Sequence, residues 1–579
     1  MKPPAVLLLA ASASSVVTGA AAGPVVHDAD KDVTYHGLSR NGIEVFLNIP
    51  YGQDTSGENR FRPPRPHSSP RGSAIDATAY GPACPQALGP WVPPISLTNI
   101  TKISENCLNL NIARPEGECV EGEKLPVLVY MHGGSFWAGS NEEITIRPDG
   151  MILESVKNGL PVIHVAMNYR LGFFGFARSD ALRKEGSENA GLKDQRLALE
   201  WVQDNIAQFG GDPNKVTIFG QSSGGLSIGM HIMAYGGSKP APFQQAIAES
   251  QALEPGITGS FTTNAMQALV DHVGCNKTDL GSAETIQCLR SFDTDKVLDA
   301  SLATYQSDTA HNIGDIWLPS VDGDFLPAAP SQLIREHRFS NVTTMMGWCD
   351  DDVTFFTDAN ITTAQDTDDF LRAYAPDVSP DNISKLMALY PASDFRANAA
   401  ANASSEFYRS ARIFRDIVMT CQPLGYAEHI AAAGNAVYLY DWNQTILDPF
   451  LSQVARRPGM GSIHTSEFAY IFGNLSHYDT GDYDFRPSPS DYSLRDRGSR
   501  SWSTYASTGR PSLEGHDTLQ GFAPAFAQNG QVNVFVVGGP GEGLSPIDGP
   551  EAASALERQK LRPRCAFINS PQMIEQLKY

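Results

Sequence analysis

A serine held between two glycines is the residue of this chain best suited to nucleophilic chemistry. Residues 216–219 are a short apolar run that predicts a buried strand. The run leads directly into a G-x-S-x-G pentapeptide at residues 220–224, and residues 226–231 can continue as a helix. A serine between a strand and a helix lies on a sharp turn that exposes its hydroxyl, and the flanking glycines tolerate the strained backbone. Ser222 is therefore predicted to be the nucleophile of an acyl-transfer reaction.

A second glycine-containing segment is suited to supply the backbone hydrogen-bond donors that acyl transfer needs. The sequence His-Gly-Gly-Ser-Phe occupies residues 132–136 and follows the apolar run 125–131. Glycines leave backbone N–H groups exposed, and N–H donors aimed at one point stabilise the oxyanion of acyl transfer. A plain turn is the alternative interpretation. The position of the segment directly after an apolar strand and before the serine turn favours the functional one.

These segments need a frame of strands and helices to position them. Residues 161–167 form another apolar run, and residues 191–206 show the periodicity of a helix. Gly210, Gly211 and Pro213 then end the helix, and the strand before the serine follows at once. Alternation of strand, helix and strand predicts an α/β fold: a large, mostly parallel central sheet with helices on both faces and long insertions.

Length and composition restrict the class of protein. The chain has 579 residues, of which 41% are hydrophobic and 18% charged, as in a soluble globular protein. An α/β fold with insertions reaches this length as one domain. The net charge of −21 argues against nucleic acid and anionic membrane surfaces as partners. The sequence has no metal-ligand cluster such as H-E-x-x-H, and we expect neither a metal nor a cofactor.

The first 22 residues predict secretion. They carry one lysine, an apolar core at residues 5–10 and a small-residue end at residues 20–22, as a cleaved signal peptide does. A membrane anchor is the alternative, but the segment is short and rich in Ser and Ala. No later apolar run is long enough to span a bilayer, so no stable membrane insertion is expected. We expect an extracellular protein with a signal peptide over residues 1–22 and one domain over residues 23–579.

Secretion changes how the cysteines and the N-x-S/T sequences are interpreted. Cys84 and Cys107 bracket a segment rich in Pro and Gly, and in an oxidising compartment they predict a disulfide-closed surface loop. Asparagines in N-x-S/T sequences predict surface loops that carry glycans, and we expect more than half to be used. These asparagines are Asn99, Asn276, Asn341, Asn360, Asn382, Asn402, Asn443 and Asn474.

The chain resembles the type-B carboxylesterase/lipase family, the large α/β-hydrolases that include the cholinesterases. The resemblance covers almost the whole mature chain. The matching segments are residues 49–51, 107–111, 132–136, 168–175, 191–196, 209–213 and 220–225. The resemblance implies the α/β-hydrolase fold, hydrolysis of carboxylic esters, and a nucleophile, an acid and a histidine in that order along the chain.

The resemblance also indicates the partners of Ser222. The family's acid motif has a glycine, four variable residues and then the acid, followed by a small residue and aromatics. Residues 347–356 match this motif and give Asp352, where most of the family has Glu. Asp351 remains the alternative if the register is off by one. Residues 461–473 resemble the family's histidine loop and give His464.

Further roles follow by the same correspondence. The backbone N–H groups of Gly134, Ser135 and Ser223 would form the oxyanion hole, with Ser135 standing where glycine is usual. Gln221 replaces a frequent Glu beside the nucleophile and so removes a buried charge. Ser250 matches a serine that supports the acid from behind.

The family's disulfide pattern covers most of the remaining cysteines. Cys275 and Cys288 fit its second short disulfide loop. Cys421 and Cys565 fit a third bridge that ties the C-terminal segment back. Cys119 and Cys349 are left over, and a fourth bridge between them stays open.

The expected reaction is hydrolysis of a small-molecule or lipid ester in two acyl-transfer steps. Three alternatives remain: a lipase acting on longer-chain acylglycerols, a secreted peptidase with the same triad, and a catalytically inactive binding protein on this fold. The sequence does not define the acyl-chain or alcohol preference. Nor does it tell whether the loop between Cys84 and Cys107 acts as a lid.

Overall fold

The computed structural model describes residues 23–90, 92–117, 123–312, 316–526 and 530–579, and for residues 307–312 it describes the backbone. The predicted signal peptide over residues 1–22 and the leftover Cys119 lie outside this range. Within the range, no helix combines the length and apolarity needed to cross a membrane.

A large mixed sheet forms the centre of the described chain. Its order is β14-β13-β12-β11-β10-β9-β7-β8-β6-β4-β3, and β1, β2 and β5 form a separate small sheet. The seven strands from β13 to β8 in this order run parallel, and the strands at both edges are antiparallel. The strands are β1 Val25–Asp28, β2 Val33–His36, β3 Leu38–Arg40, β4 Ile43–Pro50, β5 Ser73–Asp76, β6 Asn109–Pro115, β7 Leu125–Met131, β8 Ile163–Met167, β9 Gly211–Gln221, β10 Gln245–Glu249, β11 Thr343–Cys349, β12 Val437–Trp442, β13 Asn533–Val537 and β14 Gly543–Pro546.

Helices connect the parallel strands. They are α1 Asp149–Lys157, α2 Gly172–Phe176, α3 Asp180–Lys184, α4 Ala190–Asn205, α5 Ser223–Met233, α6 Phe261–Val273, α7 Ala283–Arg290, α8 Thr294–Asn312, α9 Pro330–Arg335, α10 Ala364–Tyr374, α11 Pro380–Ala388, α12 Ser405–Arg415, α13 Cys421–Ala432, α14 Asp448–Gln453, α15 Phe468–Ile471, α16 Pro489–Thr508, α17 Ser554–Glu557, α18 Leu561–Ile568 and α19 Pro571–Leu577. Short 3₁₀ segments are Gly57–Asn59, Ile144–Ile146, Ile206–Phe209, Ala234–Gly237, Thr354–Phe356, Ala392–Asp394, Ala399–Ala401 and Leu475–Tyr478. A π-helix, Asp416–Thr420, joins α12 to α13.

The central strands are apolar on both faces because both faces are covered. Along β7, Val127, Val129 and Met131 belong to one buried cluster, which also holds residues of α4 and α5. Leu128 and Tyr130, which alternate with them, belong to a second cluster together with residues of α16. The near-continuous apolar run of β7 is therefore the pattern of a strand buried on both sides.

Three disulfide bonds join described residues, Cys84–Cys107, Cys275–Cys288 and Cys421–Cys565. Cys349 is a buried free thiol, which excludes the fourth bridge. The third disulfide links α13 to α18 across 144 residues and so fastens the C-terminal helices to the body of the protein.

Two of the eight predicted glycosylation sites need correction. Asn382 is only 1% exposed and donates a hydrogen bond to Gln576, and Asn474 is 7% exposed and donates to the carbonyl of Arg147. A glycan on either amide would displace this packing, so we no longer expect glycans there. The sequence showed only the tripeptide, whereas burial arises from segments far away in the chain.

Candidate active site

Ser222 lies on the turn between β9 and α5. Its φ of 62° and ψ of −127° fall outside the regions that non-glycine residues ordinarily adopt. Two backbone hydrogen bonds hold the turn: Ser222 N–H to the Glu249 carbonyl at 3.0 Å, and Leu226 N–H to the Ser222 carbonyl at 2.8 Å. A Cβ on Gly224 would lie 2.1 Å from the Met131 carbonyl oxygen, so only glycine lets β7 approach this turn.

Asp352 is the one residue of the three consecutive aspartates whose carboxylate contacts His464. Its Oδ1 lies 2.5 Å from His464 Nδ1, and the backbone N–H of His464 donates to the Asp352 carbonyl at 3.0 Å. The second carboxylate oxygen accepts the N–H of Cys349 at 2.9 Å. Both oxygens are therefore fixed, and a carboxylate facing Nδ1 requires that nitrogen to carry the proton.

The two neighbouring aspartates serve other contacts. Asp350 is fully buried, and its carboxylate accepts a hydrogen bond from Gln559 and forms ion pairs with Arg412, Arg415 and Arg558. Asp351, whose side chain is 30% exposed, directs its carboxylate toward Gly461 of the histidine loop. Asp350 is thus a buried ion-pair partner, not a solvated charge.

The imidazole of His464 is held on a second side by Gln221. The Gln221 amide nitrogen is 3.1 Å from both ring nitrogens, and the side chain is buried. The ring of Phe356 stands edge-on to the imidazole, with ring centroids 5.6 Å apart. These contacts restrict rotation of the imidazole, as general-base catalysis requires.

The segment predicted to supply oxyanion donors has an unusual backbone. Gly134, Ser135 and Phe136 have consecutive positive φ angles of 111°, 52° and 57°. The Phe136 N–H donates to the hydroxyl of Ser223 at 3.2 Å, which ties this segment to the first residue of α5. Gly134 and Ser135 line the same cavity as Ser222, and the first N–H groups of a helix have no partner within it. The predicted donors and the serine are thus close together.

The structure shows no hydrogen bond between Ser250 and the acid that it is predicted to support. Its hydroxyl is fully buried but forms no hydrogen bond with any described residue, Asp352 included. The backbone N–H of Ser250 donates to the Gly347 carbonyl, and the φ angle of Ser250 is 42°. Ser250 therefore contributes to the turn after β10, and the Cys349 N–H takes the supporting position that the sequence assigned to Ser250.

Two buried carboxyl groups near Asp352 escaped sequence reasoning. Glu467 accepts the Cys349 thiol at 3.1 Å, and burial, then the charge of Asp352, raises its pKa to about 7. Glu249 accepts the Trp502 indole N–H at 2.6 Å, and burial followed by the charge of Glu467 raises its pKa well above its usual range. The one feature of the sequence that pointed to Glu467 is its position three residues after His464, the predicted catalytic histidine.

Ser222 and His464 line one cavity of about 160 Å³. Apolar side chains form most of its wall, and one acidic residue, Glu254, also lines it. The remaining lining residues are Val92, Ile95, Gly134, Ser135, Gln221, Tyr305, Val353, Phe356, Phe414 and Met419. Larger cavities exist, including one of about 440 Å³ beside Asp351 and Arg412, but they contain neither Ser222 nor His464. The presence of Ser222 and His464, not the cavity volume, therefore identifies the candidate active site.

Residues 32–535 match the model of the carboxylesterase family. The chain belongs to this family. A secreted lipase of Arthroderma benhamiae is 54% identical over 97% of both chains. The inactive carboxylesterase-like protein VdtD of Byssochlamys spectabilis is 33% identical over 94% of both chains. The crystal structure of Aspergillus niger EstA covers 96% of this chain and 99% of its own, with a TM-score of 0.77 and 25% identity.

The family match, the lipase relative and the esterase structure together identify the chain as a carboxylic ester hydrolase with the α/β-hydrolase fold. The predictions of fold class, family and enzyme class are confirmed. The three disulfide bonds fit an oxidising, extracellular setting.

Proposed function

We propose that this carboxylesterase-family protein is a secreted serine esterase that works through an acyl-enzyme, with Ser222, His464 and Asp352 as its triad. The observation that carries the proposal is the 2.5 Å contact between Asp352 and His464 at the cavity that Ser222 lines. The domain extends over residues 23–579, after a signal peptide over residues 1–22. The Arthroderma benhamiae relative is named a secreted lipase, which supports the extracellular assignment.

The reaction begins when the Ser222 oxygen attacks the ester carbonyl carbon while its proton passes to His464 Nε2. The negative charge on the carbonyl oxygen is stabilised by the N–H groups of Gly134, Ser135 and Ser223. Asp352 stabilises the imidazolium and keeps the proton on Nδ1. His464 then gives its proton to the leaving alcohol, and the acyl-enzyme remains.

Water completes the cycle by the same route. His464 removes a proton from water, whose oxygen attacks the acyl carbonyl, and Ser222 regains its proton as the acid leaves. Because no step needs an electron acceptor or a metal, the three side chains and the N–H donors suffice for ester hydrolysis.

The size of the cavity favours esters of short acyl chains. Its volume of about 160 Å³ is below the roughly 300–1,000 Å³ of sites that bury drug-sized ligands. A lipase acting on longer acylglycerols is the second candidate, favoured by the name of the 54% identical relative.

Hydrolysis of p-nitrophenyl esters from acetate to palmitate tests the proposal. We expect kcat/KM to be highest for short chains and to be lost in Ser222→Ala, while thermal denaturation shows that the variant folds. A maximum at palmitate would favour the lipase. Absence of hydrolysis for every ester would contradict the proposed function and favour an inactive protein.

A further inference from the structure

One acidic residue that lines the catalytic cavity has no part in the proposed mechanism. Glu254 is the only carboxylate among the described residues that line the cavity of Ser222 and His464. The wall around it includes Val353, Phe356 and Met419, which would suit an unsubstituted alkyl chain. A carboxylate at this place is therefore unexpected in a site that would bind only hydrocarbon.

The chain brings Glu254 to the cavity through fixed contacts. The loop after β10 runs beside the nucleophile, where the Ala252 N–H approaches the Ser222 carbonyl at 3.3 Å. The next residue, Leu253, donates its N–H to the Val418 carbonyl at 3.0 Å. Val418 lies in the π-helix, an element frequent at functional sites, and its neighbour Met419 lines the cavity. Glu254 is thus held between the nucleophile and the π-helix.

A carboxylate such as that of Glu254 can accept several hydrogen bonds at once. The residue is 7% exposed, and a buried carboxylate costs free energy unless it accepts hydrogen bonds. Tyr374 donates its hydroxyl to one oxygen. A carboxylate has about four acceptor positions, so a substrate donor can be added to the partners it already has.

We propose that Glu254 determines substrate specificity by accepting a hydrogen bond from a hydroxyl group of the ester. This inference rests on the proposed function, since Ser222 must act on the same bound molecule. The preferred substrates are therefore short esters that carry a hydroxyl group. The hydroxyl belongs either to the acyl group or to the alcohol, and two matched substrate pairs distinguish these sources.

The test compares kcat/KM within each pair. For the acyl side the pair is p-nitrophenyl phenylacetate and p-nitrophenyl 4-hydroxyphenylacetate; for the alcohol side it is propyl butyrate and glyceryl monobutyrate. A hydrogen bond to a charged acceptor predicts a preference of about tenfold or more for the hydroxylated member of one pair. Glu254→Gln should reduce this preference several-fold. Glu254→Leu should reverse it, because the hydroxyl is then buried without an acceptor.

Tyr374→Phe is the matched control, since it removes one hydrogen-bond donor to Glu254 but keeps the carboxylate. It should retain the preference, and thermal denaturation of each variant separates loss of recognition from loss of folding. Equal kcat/KM within both pairs for the wild type, or a preference that survives Glu254→Leu, would overturn the inference. Failure of the wild type to hydrolyse any of the four esters would instead refute the proposed function.

Discussion

The most discriminating prediction concerns Asp352. Asp352→Asn keeps the side chain's size and its contact with the Cys349 N–H, because the remaining amide oxygen can still accept that bond. The change removes the charge 2.5 Å from His464 Nδ1, and the amide NH₂ can turn toward that nitrogen and favour the wrong imidazole tautomer. The loss expected for such a change is about 10⁴-fold in kcat, equal to about 5 kcal/mol of transition-state stabilisation.

Asp350→Asn is the matched control, because it should lower folding stability but not kcat. It removes the negative charge from a carboxylate buried among Arg412, Arg415 and Arg558. Removing one partner of a buried ion pair costs about 3–5 kcal/mol of folding stability. The variant should therefore unfold at lower urea concentration but retain kcat in its folded fraction. Asp351→Asn should have a small effect on both, because its side chain is 30% exposed.

The assay is steady-state hydrolysis of p-nitrophenyl butyrate, with urea denaturation of each variant alongside. The expected pattern is a rate defect without a large stability defect for Asp352→Asn, and the reverse for Asp350→Asn. If Asp351→Asn abolished turnover while Asp352→Asn kept most of it, the assignment of the acid would be wrong by one residue.

Three further changes test the surroundings of the site. The folded-state pKa of Glu467, about 7, lies above its unfolded value, so the stability it contributes is lost as pH rises from about 4.5 to 7. Glu467→Gln should remove this part of the pH dependence in thermal denaturation, and parallel curves for both proteins would contradict it. Gln221→Glu places a carboxylate beside both nitrogens of His464. Because this negative charge favours the protonated imidazole, the acidic limb of the profile of kcat/KM against pH should move to higher pH. An unmoved limb would contradict an electrostatic effect of residue 221 on His464. Replacing Cys421 and Cys565 by Ser opens a loop with a sequence separation of 144. Urea denaturation should then show a free energy of unfolding lower by about 4–5 kcal/mol, and a decrease of less than about 1 kcal/mol would contradict this prediction.

Local patterns in the sequence predicted most of the frame. The apolar run before Ser222 and the glycines after it specify a strand, a tight turn and a helix, and β9 and α5 form there between Gly211 and Met233, so neighbours in the chain carry the information. The alternation of strands and helices likewise predicted a parallel sheet. The antiparallel edges of the sheet were not predicted, because pairing at an edge depends on long-range contacts.

What the sequence did not reveal depends on burial. Ser250 matched a motif, yet the fold gives the contact with Asp352 to the Cys349 N–H. Nothing in the local sequence distinguished Glu254 as a buried acid, yet segments far away in the chain enclose both Glu254 and Glu467. Whether a carboxyl group is solvated or buried is decided by tertiary packing, which the local sequence does not encode.

Covalent labelling tests the central claim, that Ser222 is the nucleophile, most directly. A fluorophosphonate forms a stable bond with an activated serine oxygen and releases fluoride. Intact-mass and peptide mass spectrometry should show one equivalent of phosphonate on Ser222, with ester hydrolysis lost in proportion, and Ser222→Ala should remain unlabelled. Labelling at Ser223 or elsewhere, or full hydrolysis after one equivalent has bound, would contradict the account.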